Sequence, residues 1–175
     1  RLREPYKLLV TDIPTAKKFS YEGKHAEAAA ILRKVVAKGK GEARLTAQKA
    51  LGGCMYQLGD IDGAEVVLRA AISENETDAN PHLQLGVLFW KGRRRPSAAI
   101  TQLRLAVELD SDANLAMAHR VLADIYEYAY RDYMSAHAEY VEVLRCFLPA
   151  DVDEARETDK RAQIAFEGMI RTGSV

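Results

Sequence analysis

The 175 residues carry 25 Lys plus Arg against 25 Asp plus Glu, so the formal net charge is zero. A nucleic-acid binder ordinarily holds a basic surplus that neutralises phosphates, and its absence argues against that class. The longest apolar runs fall well short of the eighteen or so residues that a membrane-spanning helix needs.

Alanine is abundant, at 27 residues, and falls mostly in periodic stretches, which favours closely packed helices. Five prolines (Pro5, Pro14, Pro81, Pro96, Pro149) stand where helices are predicted to begin or to have just ended, and strand-like alternation is absent. An all-α chain follows, read as one continuous unit that buries about 70% of its unfolded surface. With no initiator methionine and no signal peptide in view, it reads as a cut-out or processed chain.

In chain order, residues 1–13 are an extended lead-in or partial helix. The first predicted pair of helices covers Pro14 to Glu22 and Lys24 to Ala37, turning at Gly23 and ending at the Gly-Lys-Gly of 39–41. The second covers Glu42 to Leu58 and Ile61 to Glu74, with Gly59-Asp60 between them. The third covers Ala79 to Lys91 and Pro96 to Leu109. The fourth covers Ala113 to Tyr130 and Tyr133 to Phe147, stopped by Pro149. A final helix from Asp151 to Thr172 opens on acidic residues, which suit a helix N-terminus, and closes at Gly173. Its apolar positions Ala155, Ala162, Phe166 and Met169 recur at helical spacing, as expected of a cap over the end of the array.

The pairs repeat one pattern: a large apolar residue, an alanine nine or ten later, a bulky residue four on, and a small one three on. It reads Phe19, Ala28, Leu32, Val35; then Met55, Ala64, Leu68, Ala71; then Phe89, Ala99, Leu103, Ala106; then Tyr126, Ala136, Tyr140, Val143. Successive alanines are 36, 35 and 37 residues apart. A period in the mid-thirties built from two short helices marks a helical repeat array, so the unit boundaries fall at about 14–41, 42–78, 79–112 and 113–147, with the cap at 151–172. Ala64 and Ala99 are expected to be almost fully buried.

The stretch Ala47-Gln-Lys-Ala-Leu51-Gly52-Gly-Cys-Met55-Tyr-Gln-Leu-Gly59-Asp60-Ile61-Asp-Gly-Ala64 resembles a tetratricopeptide repeat, and Leu85-Gly86 with Phe89 and Leu122-Ala123 with Tyr126 extend the likeness over about 12–147. The resemblance implies a right-handed α-solenoid of four such helix pairs. The small residues Ala16, Gly52, Gly86 and Ala123 would let helices approach Ala28, Ala64, Ala99 and Ala136. One extra residue in the third and fourth turns, near 92–98 and 129–135, leaves a Sel1-like variant open as the subtype.

The resemblance also implies a protein- or peptide-binding groove on the first helices of the pairs. Carried over position by position, it holds Lys17, Tyr21, Lys49, Tyr56, Gln57, Leu83, Val87, Trp90, Lys91, Arg120, Asp124, Glu127 and Tyr128. Packing of Trp90 and Tyr56 between repeats is the competing reading. The family's carboxylate clamp is not reproduced: Ile13, Lys17, Ala50, Asn80 and Gln84 stand at its positions, so a chaperone tail ending in acidic residues is not the expected ligand.

Other features have plain readings. Arg93-Arg94-Arg95 is a solvated turn or a patch for an acidic partner. Tyr128, Tyr130 and Tyr133 form a candidate sticky face, while Tyr126 and Tyr140 hold core positions by period. The histidines His25, His82, His119 and His137 lack metal-site spacing, and neither a nucleophile elbow nor a phosphate loop occurs, so no metal, cofactor or catalytic set is expected. Cys54 and Cys146 read as free thiols, favouring the cytoplasm with the periplasm left open. The function expected is that of a non-catalytic scaffold or adaptor, with self-assembly as the alternative and RNA binding behind it.

Overall fold

The computed structural model describes Lys7 and residues 11–109, 115–146 and 152–173. Most of the predicted lead-in lies outside these residues, as do the start of the seventh helix at Ala113, the end of the eighth at Phe147, its stop at Pro149, and Asp151. Helices run as α1 Ile13–Tyr21, α2 His25–Lys38, α3 Gly41–Gln57, α4 Ile61–Glu74, α5 Ala79–Val87, α6 Pro96–Leu109, α7 Leu115–Ile125, α8 Tyr133–Cys146 and α9 Val152–Thr172. No strand occurs among the described residues. No helix among them is long and apolar enough to cross a membrane.

Local chemistry sets the helix starts. Pro14 sits in the first turn of α1, where a missing N–H costs nothing. Asp60 accepts from the Gly63 N–H (2.9 Å), Asp78 from the Asn80 N–H (3.0 Å) and Asp132 from the Ser135 N–H (3.1 Å), satisfying orphan donors at the starts of α4, α5 and α8.

Each helix packs on its neighbour in sequence, and α3 also touches both α1 and α5. The first helices of successive pairs therefore form one layer and the second helices another, which is a solenoid.

The repeated pattern is the core. Ala28, Ala64, Ala99 and Ala136 are all completely buried, and Leu32, Leu68, Leu103 and Tyr140, four residues on, nearly so. Gly52 and Gly86 are sites of close approach between the helices of a pair. A Cβ at Gly52 would lie 2.6 Å from Leu68 Cδ2, and one at Gly86 would lie 2.5 Å from Leu103 Cγ.

The extra residue of the third and fourth pairs sits before the turn, at the end of the first helix. There α5 continues as a π turn over Leu88–Gly92 and α7 as another over Tyr126–Tyr130. The Arg93 N–H reaches back five residues to the Leu88 carbonyl (3.1 Å), so one added residue is absorbed without moving the next helix. The residue that reverses the chain is left-handed in every pair: Gly23 (φ 77°), Gly59 (φ 79°), Arg94 (φ 53°) and Arg131 (φ 56°). Arginine there costs about 1 kcal/mol that glycine does not.

The terminal helix α9 lies along α8. Its Ala162 and Ala165 join Ala123, Ala136 and Tyr140 in a small core of their own. Gly168 lets α9 press on the Tyr133 ring, 2.7 Å from where a Cβ would stand. The buried stripe is Thr158, Ala162, Ala165 and Met169. Phe166, expected on that stripe, is 42% exposed and lies against the His137 ring (centroids 5.9 Å apart), because it falls beyond the edge of the line that Ala162, Ala165 and Met169 define. The side chain of Ala155 lies outside the described residues.

Candidate functional site

The layer of first helices bounds an open cleft of about 790 Å3. Lys17, Ser20 and Tyr21 enter it from α1, and Lys49, Gly53, Tyr56 and Gln57 from α3. Leu83, Gln84 and Val87 enter from α5, Lys91 from its π turn, and Met117 and Val121 from α7. Its floor is formed by Leu32, Leu68 and Cys54, which belong to the main core. The wall is thus mostly apolar, with long polar side chains at its margin.

Eight of the residues assigned to the groove by resemblance line this cleft: Lys17, Tyr21, Lys49, Tyr56, Gln57, Leu83, Val87 and Lys91. Five do not. Trp90 is half-buried and packs on the main core, because the π turn alters the phase of the helix after Val87 and carries Trp90 off the Leu83–Val87 line. Tyr56 both lines the cleft and packs on that core.

Asp124 and Glu127 are engaged within the fold, at the junction of α7, α8 and α9. Arg161 donates to Asp124 (3.1 Å), and the Tyr140 hydroxyl donates to Glu127 (2.9 Å). Burial pushes the Tyr140 phenol well above its usual range, and the two carboxylates add to the shift. Arg120 is half-buried and Tyr128 is 62% exposed, both outside the cleft wall.

A family model described as the tetratricopeptide repeat matches residues 21–85, the span that holds most of the cleft wall. No curated protein matches the chain. TTC0263, a thermophilic tetratricopeptide-repeat protein of Thermus thermophilus, shares the fold with a TM-score of 0.70 at 21% identity, over 86% of this chain and 77% of its own. BtubC (BKLC) from P. vanneervenii superposes with a TM-score of 0.71 at 19% identity, over 87% and 69%. MamA superposes with a TM-score of 0.63 at 18% identity, over 94% and 95%.

The family match covers 21–85, and beyond it the likeness to the solved structures is one of fold.

Within the helical array, the adjacent glycines of α3 do different things. Consecutive helical residues point about 100° apart, so only one of the two can face α4. Gly52 faces Leu68, which is too enclosed to yield, whereas the Cβ position of Gly53 meets only Gln84 Oε1, at 3.7 Å in the cleft. Gly52→Ala should therefore overpack and lower stability by about 1–2 kcal/mol. Gly53→Ala should raise it by about 0.5–1 kcal/mol, the ordinary gain of alanine over glycine inside a helix. Urea titrations of the two variants check the pair of signs, and a destabilised Gly53→Ala would mean that the fold itself needs that glycine.

The arginine turn is only partly available to a partner. Arg93 is bound by Asp62 and by Glu65 (2.9 Å) of the preceding helix pair, leaving Arg94 and Arg95 as the exposed cations. Among the tyrosines, Tyr128 and Tyr130 are exposed, while Tyr133 lies under Gly168 and so leaves the proposed sticky face. Tyr126 is half-buried and its hydroxyl accepts from Arg104 (2.7 Å).

The histidines lie on four different helices, α2, α5, α7 and α8. His82 meets Gln102 (2.9 Å) and His119 meets Glu139 (2.6 Å). Among the described residues, no three His, Cys, Asp or Glu gather as metal ligands. Cys54 and Cys146 are both free thiols, and burial pushes the Cys146 thiol up, away from the reactive thiolate.

Proposed function

We propose that the array is a non-catalytic binding module whose cleft holds an extended segment of a partner protein. The observation that carries this reading is the cleft itself: an apolar trough crossing α1, α3, α5 and α7, with tyrosines and long polar side chains at its rim. Aromatic and long side chains around a preformed apolar trough suit recognition of an extended chain, since they supply contact area and direction together. Tyr21, 91% exposed, and Gln57, also exposed, can be changed without disturbing the core.

The test starts from a partner captured with the intact chain from native extract and identified by mass spectrometry. Its affinity is then measured against the Tyr21→Ala/Gln57→Ala variant. A loss of tenfold or more, the scale of about 1.4 kcal/mol or greater that a rim aromatic supplies, is expected. Unchanged affinity with an unchanged melt would move the site off the cleft.

Self-association is a second reading, motivated by Ile164, Phe166 and Ile170, each at least 42% exposed on α9. A mass that rises with concentration in light scattering, and falls back when these three become polar, is the result that reading requires.

A further inference from the structure

We infer that the cleft selects an acidic, partly apolar stretch of extended chain, and that Gly53 is kept as glycine so that the ligand backbone can lie against α3. The inference rests on the cleft being the binding site. Four observations carry it.

The first is charge. The cleft wall contains Lys17, Lys49, Lys91 and His25 and no aspartate or glutamate, although the chain as a whole has equal numbers of acids and bases. Lys49 is already matched by Asp78 (2.6 Å). Lys17 and Lys91 make no ion pair among the described residues, and both are exposed. They lie on α1 and at the end of α5, the two neighbours of α3, so a chain crossing α3 meets a cation on each side. Two uncompensated cations beside a low-dielectric wall attract carboxylates and repel basic segments.

The second is the position of Gly53. A glycine inside a helix is less favourable than alanine, because it loses more backbone freedom on folding. At Gly52 that cost is offset by close packing on Leu68; at Gly53 nothing in the fold needs the space. The missing side chain instead leaves α3 bare at the middle of the cleft.

The third is an unused acceptor. Gln84 donates through Nε2 to Asn80 Oδ1 (2.7 Å), which orients its amide, while its Oε1 is buried without a donor among the described residues. That oxygen stands 3.7 Å from the Gly53 Cβ position. A chain lying on Gly53 would offer a backbone N–H to this oxygen once the Gln84 amide turns toward the cleft, whereas a bulkier residue at 53 would hold the chain away.

The fourth is the cleft's apolar content. Leu83, Val87, Met117 and Val121 face the same space, so the ligand must bring apolar side chains as well as acids. Together these features describe an internal acidic-apolar segment read through its backbone and side chains.

A displayed library of random peptides selected on the full chain tests this. The peptides retained are then screened against Gly53→Leu, which fills the space beside Gln84, and against Lys17→Glu/Lys91→Glu, whose sites are exposed. Thermal melts confirm that each variant is folded, and Gly53→Ala serves where leucine is not tolerated. Peptides that lose binding to the residue 53 variant should be net negative with interspersed apolar residues. They should weaken about tenfold or more on the double lysine variant and bind less well at high salt. Residue 53-dependent peptides that are neutral or basic would overturn the acidic assignment while leaving the cleft as the site. A selection with no peptide sensitive to residue 53 would overturn both readings.

Discussion

Tyr140→Ala should destabilise the protein by about 3–5 kcal/mol, the cost of emptying a fully buried aromatic site. The ring is completely enclosed, at the position that leucine holds in the other three pairs, and packs with Ala123 and Ala136 and with Ala162 and Ala165 of α9. Alanine would leave a cavity between the last pair and the terminal helix, and would remove the donor that serves Glu127 (2.9 Å) and Asp124 (3.3 Å). Tyr140→Phe separates the two effects. It keeps the ring and should cost only the hydrogen bonds, about 1–2 kcal/mol.

The phenol also predicts an alkaline signature. Its folded pKa is raised, so its contribution is fully present below the unfolded value of about 10 and is lost as the pH rises beyond it. Urea midpoints measured from pH 8 upward should fall less steeply for Tyr140→Phe than for the parent. An alanine variant within 1 kcal/mol of the parent would mean that the junction can collapse around the gap.

The core was legible because its constraints repeat and are local. Ala64 can be read as buried from its spacing alone, since Leu68 and Ala71 follow at helical intervals and the same interval recurs three more times. The cleft was legible in part for the same reason: Leu83 and Val87, or Tyr56 and Gln57, lie on first helices whose faces the period defines. What the period could not supply was phase. An extra residue between Phe89 and Ala99 announces itself in the count, but whether it widens the turn or winds into a π turn depends on packing, and Trp90 follows that choice. Asp124 and Glu127 were read as groove residues because their partners are remote: Arg161 lies 37 residues away. A charged residue on a periodic face looks solvated until the element that covers it is known. Gly53 had a readable signal after all, because two adjacent helical glycines cannot both face one neighbouring helix.

Removing α9 should expose the last unit and abolish its solubility. The stripe of Thr158, Ala162, Ala165 and Met169 covers the side of the array that Ala123, Ala136 and Tyr140 present, and burial of Met169 alone is worth about 1.5–3 kcal/mol. Without α9, Tyr140 faces water and Asp124 loses Arg161. A solenoid end left open in this way aggregates, because the same apolar face that accepts a neighbour accepts another molecule. The truncated chain should bind a hydrophobic dye, melt earlier and sediment as large species. The opposite flanks of α9 supply the control. Changing Ile164, Phe166 and Ile170 to lysine leaves the buried stripe in place, so that variant should stay folded with a melt close to the parent's. If the truncation remains monomeric and equally stable, the stripe is not what protects the last pair, and α9 is held there for what its exposed side chains bind.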